Sequence, residues 1–189
     1  GWFALNLTSN LKIGLGSWSV DDIATYLKTG ADKSKSTSLG PMSEVVHNSL
    51  SFMTDDDLQA MAEYLKALPA SSAMSPDHQP DKTLAAGATT YVDNCSACHQ
   101  AQGSGIPGVF PALAGNGVVL AADANDILKV VLFGIPVQDG YIAMPGFGDK
   151  LSDQQIADLA NYLRSSWGNG AAVNATAAQV AALRKLPVE

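Results

Sequence analysis

The stretch Cys95-Ser96-Ala97-Cys98-His99 decides how this sequence is interpreted. Its two cysteines are the only ones among 189 residues, so they cannot build a disulfide framework for a chain of this length. Two thiols three residues apart lie on one turn of chain, from which both can reach the same porphyrin edge. The next residue then brings an imidazole nitrogen under the ring. The C-x-x-C-H pattern is typical of covalent attachment of a c-type haem.

Other uses of two neighbouring cysteines were weighed against haem attachment. A thioredoxin-like dithiol requires a βαβ context, which the sequence does not show. A structural zinc site usually draws its four ligands from two separated pairs, and no second pair follows here. A chance match to the pattern is the remaining alternative. We predict one haem c, attached to Cys95 and Cys98, with His99 as an axial ligand of the iron.

A methionine is the expected second axial ligand, because a thioether raises the potential of an electron-transfer haem relative to a second imidazole. Met144 lies in the Gly- and Pro-rich turn 141–148, which can lean over the open face of the haem. We predict that Met144 is this ligand. Met61 falls on a predicted buried helix stripe, Met53 flanks a predicted helix start, and Met74 lies in a predicted linker.

The composition excludes several classes of function. Lys+Arg 11 against Asp+Glu 18 gives a formal charge of -7, whereas nucleic acids and anionic lipids select basic patches. Charged residues make up 15% of the chain and hydrophobic residues 47%, so it is expected to fold. Apolar runs such as 128–137 are far shorter than the ~18 residues of a membrane span. Because the chain starts at Gly1, we expect a processed product or a fragment.

Helical patterns dominate, and the predicted fold class is all-α. Ser and Thr residues precede several apolar-periodic runs as N-caps, and Ser152 with Gln155 matches a capping box. The Ser- and Pro-rich stretch 71–80 is predicted to be a linker. The predicted helices are 21–28, 54–68, 81–94, 123–133, 152–167 and 176–184.

An internal repeat relates two of these helices. Residues 54–66 align without gaps on residues 152–164, so that Tyr64 corresponds to Tyr162. Each copy is preceded by a short helix that ends at a glycine and then by a loop with a Met-containing turn. The cysteine motif precedes only the second copy, so the first copy begins halfway through its domain.

Residues 81–168 resemble a class I cytochrome c domain. The resemblance implies that Gly87 and Tyr91 meet Leu159 and Tyr162 where the first and last helices cross. It also implies that the Pro111 carbonyl accepts a hydrogen bond from the ring of the axial histidine and that Leu113 packs on the haem. The matching residues are Gly87, Tyr91, Cys95, Cys98, His99, the run Pro111-Ala112-Leu113-Ala114-Gly115, and Met144.

The whole chain resembles the C-terminal part of the multihaem (triheme) cytochrome c subunit of membrane-bound bacterial dehydrogenases for alcohols, sugars and sugar acids such as gluconate. This resemblance implies an electron-transfer subunit, not a catalytic one, that takes electrons from a dehydrogenase catalytic subunit. The electrons would pass toward ubiquinone or a terminal oxidase. It implies the periplasm, at the outer face of the inner membrane, with membrane association through partners. The matching motifs are Asn6-Leu7-Thr8, Gly14-Leu15-Gly16-Ser17-Trp18-Ser19, Tyr26-Leu27-Lys28-Thr29-Gly30, Gly40-Pro41-Met42 and Ser165-Ser166-Trp167-Gly168-Asn169.

The same resemblance makes Met42 the axial ligand of a second haem. No C-x-x-C-H precedes Met42 in this sequence, so a second covalent haem is expected only if an upstream segment supplies one. The predicted organisation is therefore a partial cytochrome c domain at 1–70, the linker at 71–80, a complete domain at 81–168 and an extension at 169–189.

Two other functions remain open at this stage. One is a haem-bearing subunit of a terminal oxidase, in which the same domain receives electrons from a different source. The other is a haem enzyme or gas sensor, which would need an axial ligand that leaves readily. Met144 argues against the second alternative.

Overall fold

The computed structural model describes residues 2–32, 35–71, 84–137 and 141–186. Within these ranges the fold is all-α, as predicted, with two two-residue strands, β1 (Gly134–Ile135) and β2 (Met144–Pro145), and a 3-10 turn at Leu50–Phe52. None of the helices in this part of the chain is long and apolar enough to cross a bilayer. The helices are α1 (Val20–Thr29), α2 (Pro41–Asn48), α3 (Asp55–Ala67), α4 (Leu84–Asn94), α5 (Ser96–His99), α6 (Gly117–Leu120), α7 (Asn125–Phe133), α8 (Asp153–Ser165) and α9 (Ala177–Leu183).

In the first half of the chain, here residues 2–71, α1 packs against α3 over a small core. The side chains of Ser19 and Thr54 cap the two helices by accepting hydrogen bonds from backbone N–H groups of Asp22 and Asp57. These caps offset the unpaired donors at the start of each helix. The buried core residues are Ile23, Leu27, Val46, Leu50, Leu58 and Ala62.

The expected loop around Gly40-Pro41-Met42 is instead the start of a helix. Helix α2 begins at Pro41, where the missing proline N–H costs nothing because the first N–H groups of a helix have no intrahelical acceptor. Gly40 precedes it at φ 52°, a left-handed value that glycine adopts without strain. Met42 therefore lies on a helix, partly buried against the core of the first half.

In the second half, residues 84–186, α4 crosses α8 at Gly87. A Cβ atom at Gly87 would lie 2.2 Å from the backbone oxygen of Asp158 and 2.7 Å from Cβ of Tyr162, so only glycine allows this approach. The Tyr91 ring packs 5.6 Å from the Tyr162 ring and 5.0 Å from the Trp167 ring, measured between centroids. The crossing thus uses the glycine and the aromatic pair that the family resemblance implies.

Helices α3 and α8 occupy equivalent places in the two halves but differ in what covers them. Ala62 and the aligned Ala160 are both fully buried. Tyr162 is packed between Tyr91 and Trp167, whereas the aligned Tyr64 is 68% exposed. The face that α4 covers on α8 is therefore open on α3.

Contacts between the described parts of the two halves include Leu5 and Leu39, which pack against the core of the second half, and two sets of polar and ring contacts. The backbone N–H of Phe3 donates to both carboxylate oxygens of Asp126, at 3.1 and 3.2 Å, and the Lys129 ammonium lies 4.8 Å from the centre of the Trp2 ring. On another side, the Tyr141 hydroxyl donates to the carbonyl oxygen of residue 32, at 2.9 Å. The first set places the start of the chain on α7.

Several predictions fall outside the described residues. These are the linker from residue 72 onward, with Met74, and the first three residues of the helix predicted at 81–94. The domain boundaries at 70, 81 and 168 stay predictions.

Candidate functional site

A cleft in the second half gathers most of the predicted site residues. It encloses about 660 Å³ free of protein atoms, part of it open to solvent. The end of α4, helix α5, the 106–111 turn and the 134–147 hairpin form its walls. The lining residues are Asn94, Cys95, Cys98, His99, Phe110, Pro111, Ile135, Pro136, Tyr141, Ile142, Ala143, Met144, Pro145 and Phe147.

The two thiols are positioned by the end of α4. The Cys95 N–H donates to the Tyr91 carbonyl at 2.8 Å, and the N–H groups of Cys98 and His99 donate to the Cys95 carbonyl at 3.2 and 2.9 Å. The chain therefore continues helically through the motif and places both cysteines beside the cleft. Cys95 is buried and Cys98 is exposed. Burial raises the pKa of the Cys95 thiol to about 11, so this thiol is protonated at neutral pH.

His99 is held by its ring as well as by its backbone. Its Nδ1 lies 2.9 Å from the carbonyl oxygen of Pro111, which can only accept, so Nδ1 carries the proton. Burial lowers the pKa of His99, although the hydrogen bond to Pro111 opposes this shift. The ring is therefore neutral at neutral pH. Nε2 is then left with a free lone pair, which is the form of imidazole that binds a metal. This is the contact that the resemblance implies for Pro111.

Met144 is brought to the same cleft by a short hairpin. Ile135 pairs with Met144, and Gly134 with Pro145, in an antiparallel register. Just beyond, the Phe147 N–H donates to the Val131 carbonyl at 2.9 Å. The predicted turn is thus anchored to the end of α7. The β1–β2 pairing was not predictable, because each strand has only two residues.

Two predicted residues lie elsewhere. Leu113 is absent from the walls of this cleft and packs partly buried against the core of the second half, where its carbonyl accepts from the Asn169 side chain at 3.2 Å. Met42 packs against the core of the first half. The structure therefore brings together Cys95, Cys98, His99, Pro111 and Met144 but neither of these two.

The sequence analysis did not identify most of the apolar wall. Four apolar wall residues come from three separate segments: Phe110, Ile135, Pro136 and Phe147. In the sequence they are marked only by their apolar character, which they share with core residues. Tyr141 has a clearer signal, since it lies three residues before Met144. It was missed because nothing in the sequence shows that its hydroxyl is bonded.

The donors and the walls fit a c-type haem. Two thiols three residues apart suit two thioether bonds, a neutral imidazole and a thioether suit a haem iron, and an apolar lining suits the porphyrin faces. Across the described ranges no three His, Cys, Asp or Glu side chains cluster as a metal site would require, so zinc gains no support.

Comparisons with known proteins point the same way. The cytochrome c family model matches residues 84–167. The chain is 41% identical to the cytochrome c subunit of alcohol dehydrogenase (quinone) from Gluconobacter oxydans, over 97% of this chain and 41% of that protein. It is 40% identical to the gluconate 2-dehydrogenase cytochrome c subunit of Pantoea cypripedii, over 98% of this chain and 45% of that protein.

A shorter relative matches about half of the chain. Cytochrome c-552 of Thermus thermophilus is 35% identical over 52% of this chain and 83% of its own length. By contrast, the chain spans less than half the length of the two dehydrogenase subunits. These matches confirm the family resemblance indicated by the motifs.

Proposed function

The chain belongs to the cytochrome c family, and from that membership we propose that it carries a c-type haem and passes electrons from a dehydrogenase toward ubiquinone or a terminal oxidase. The observation that supports this best is the cleft shared by Cys95, Cys98, His99 and Met144. When bound there, a haem supplies an iron that alternates between Fe(III) and Fe(II).

Each residue of the cleft has a separate task in this proposal. Cys95 and Cys98 anchor the group covalently, so it is retained through every redox cycle. His99 and Met144 would hold the iron of the bound haem, which would leave no place on it for a substrate. Pro111 holds the orientation of the His99 ring, and fixing a ligand in this way also raises its basicity.

The apolar walls and the open rim divide the cleft into two regions. Phe110, Ile135 and Phe147 keep water from the buried side, which restricts solvent reorganisation when the charge changes. Cys98 is exposed, so the rim beside it is the shortest route between the cleft and a partner surface. Electrons would enter and leave at this rim.

The partners follow from the names of the relatives. Three relatives are named as cytochrome subunits of alcohol, gluconate and fructose dehydrogenases. We infer that this chain likewise works beside a dehydrogenase catalytic subunit, in the periplasm at the outer face of the inner membrane, with membrane association through partners. Its charge of -7 suits contact with a basic partner surface and not with nucleic acid.

The haem count proposed for this chain is one. The only two cysteines form a single attachment motif. The open face of α3 around Tyr64, which α4 covers on the equivalent helix, is consistent with a missing helix in the first half. Met42 would bind a second haem only together with an upstream segment that carries its own C-x-x-C-H.

The test is a haem count combined with ligand spectroscopy. Pyridine haemochrome and intact mass should give one covalent haem per chain, and the oxidised protein should show the long-wavelength band of methionine-ligated ferric haem. Met144→Ala should keep the haem, lose that band and bind carbon monoxide when reduced. Met61→Ala, which removes a partly buried methionine of the first half, is the matched control and should keep the band.

Three outcomes would contradict the proposal. A chain without covalent haem would refute the role of Cys95 and Cys98. Tight carbon monoxide binding by the unaltered protein would favour the enzyme or sensor alternative. Co-purification with an oxidase instead of a dehydrogenase would favour the oxidase subunit.

A further inference from the structure

The loop that carries Met144 is held by the β1–β2 pairing, by Arg184 at the Gly148 carbonyl, and by the four hydrogen bonds that follow. Three of the hydrogen bonds lie within the second half: Phe147 N–H to Val131, Gly148 N–H to Leu132 at 3.1 Å, and Ile142 N–H to Val109 at 3.2 Å. The fourth joins the Tyr141 hydroxyl to the carbonyl of Asp32, 109 residues earlier in the chain. This fourth hydrogen bond links the first half of the chain to the loop.

Tyr141 is well placed to transmit that contact. It is 7% exposed, whereas Ile142, Ala143, Pro145 and Gly146 around Met144 are exposed. Its ring forms part of the cleft wall, and its hydroxyl reaches out of the cleft to the other half. Burial, together with the charge of Asp32, raises the pKa of Tyr141, so the hydroxyl stays a donor at physiological pH.

The acceptor lies beside a backbone bridge of the first half. The Asp32 N–H donates to the Ser36 carbonyl at 2.9 Å, and Ala31 pairs with Thr37 as an antiparallel bridge. The Ser38 N–H donates to the Gly30 carbonyl at 2.6 Å. The carbonyl of Asp32 is therefore fixed relative to the core of the first half.

We propose that Tyr141 is a positioning residue for Met144, through which the first half of the chain keeps the methionine loop closed over the cleft. This inference rests on the proposed role of Met144 as an iron ligand. The bond exists only while the loop is closed, so it adds its free energy to the closed state alone. A ligand that competes with Met144 must open the loop first, and its apparent affinity is reduced by that closed-state preference.

The test is the affinity of imidazole for the oxidised holoprotein. Tyr141→Phe keeps the ring in the wall and removes the hydroxyl, and the loss of one net hydrogen bond should tighten imidazole binding about 2- to 10-fold. Tyr26→Phe is the matched control, because it likewise removes one tyrosine hydroxyl, but Tyr26 lies in the first half, packs 5.5 Å from the Trp18 ring and does not line the cleft. It should leave imidazole affinity unchanged.

A second variant perturbs the acceptor without touching the cleft. Gly30 has φ 80°, and a Cβ atom there would lie 2.9 Å from Oγ of Ser38, so Gly30→Ala strains the backbone that presents the Asp32 carbonyl. It should tighten imidazole binding in the same direction as Tyr141→Phe. In the double variant the two effects should not add, because both break the same contact.

The outcomes separate this inference from the proposed function. If the unaltered protein lacks the methionine–iron band, the role of Met144 fails and this inference with it. If the band is present and Tyr141→Phe binds imidazole as the unaltered protein does, only the positioning role is overturned. An effect of Tyr141→Phe without any effect of Gly30→Ala would also overturn it, since the hydroxyl would then act locally in the cleft.

Discussion

The ring of His99 hydrogen-bonds across twelve residues to the backbone carbonyl of Pro111, with 2.9 Å between Nδ1 and oxygen. A carbonyl that accepts from Nδ1–H makes the opposite nitrogen more basic. A more basic axial ligand favours Fe(III) over Fe(II). The position of Pro111 therefore influences the reduction potential without contact to the iron.

Replacing Pro111 with alanine should raise the reduction potential. Alanine lacks the ring that fixes φ, so the acceptor becomes less well placed and His99 less basic. The potential is measured by redox titration of the holoprotein. Pro107→Ala, at an exposed proline of the same turn, is the control. Equal shifts in both variants would argue against a specific role for Pro111.

Gly87→Ala should destabilise the protein by about 3 kcal/mol, at the upper end of the usual cost of overpacking. The new Cβ would lie 2.2 Å from a backbone oxygen of α8, which cannot rotate away as a side chain can. The gain in helix propensity, about 1 kcal/mol, is smaller. Urea unfolding measures the difference. Gly117→Ala should cost less than about 1 kcal/mol, because its Cβ would meet only the flexible Leu5 side chain, at 3.3 Å.

Arg164→Lys should cost about 2–4 kcal/mol of unfolding free energy. The Arg164 guanidinium is fully buried and donates to the carbonyls of Ala172, Val119 and Ala122. A lysine side chain lacks the guanidinium fork that reaches these three acceptors, and the Val119 carbonyl that it would abandon stays buried.

The aligned residue of the first half provides the control for Arg164. Lys66 donates to the carbonyls of Gly16 and Trp18 at 2.8 and 2.6 Å, but it is only partly buried. Lys66→Arg should change stability by less than about 1 kcal/mol. Similar losses of unfolding free energy in Arg164→Lys and Lys66→Arg would show that neither the forked shape of the guanidinium nor its burial determines the loss.

Tyr91→Phe should make stability less sensitive to alkaline pH. Burial raises the pKa of Tyr91 to about 12, against about 10 in an unfolded chain. The folded state therefore holds this proton more tightly than the unfolded chain does. The contribution of Tyr91 to stability is constant below about pH 10 and is lost as the pH rises toward 12. At pH 11 we expect Tyr91 to account for roughly 1 kcal/mol of that fall.

The measurement is urea unfolding between pH 8 and pH 11. Burial also raises the pKa values of Tyr26 and Tyr141, so Tyr91→Phe should remove only part of the decline. It should also lower stability by about 1 kcal/mol at neutral pH, because the hydroxyl donates to the Gln100 carbonyl at 2.5 Å. Tyr64→Phe, at an exposed tyrosine, should leave the decline unchanged.

Features that depend on one side chain and its near neighbours in sequence were predictable. Thr54, Ser152 and Thr176 each cap a helix, because a hydroxyl beside an apolar-periodic run has few other uses. The cysteine motif predicted where His99 and its neighbours would gather, since covalent spacing leaves little freedom. The close approach at Gly87 was implied by the resemblance to class I cytochrome c domains.

Apart from the His99–Pro111 contact, which the resemblance implies, the long-range contacts to backbone carbonyls were not predictable. Tyr141 bonds to the carbonyl of residue 32, and any residue type at that position would offer the same acceptor. The start of α2 was missed because Gly-Pro is as typical of a turn as of a helix start. The contacts of Trp2 and Phe3 with α7 depend on how the halves meet, which periodicity within a helix does not describe.

The contacts made by Trp2 and Phe3 determine where the protein can be truncated for expression. Asp126 and Lys129 are 3% and 6% exposed, and each has a partner among the first few residues: the Phe3 N–H for Asp126 and the Trp2 ring for Lys129. A recombinant fragment that begins at residue 84 would present both charged groups and the apolar surface around them to water. An expression strategy for the second half therefore needs either residues 2–5 in place or a redesigned surface on α7.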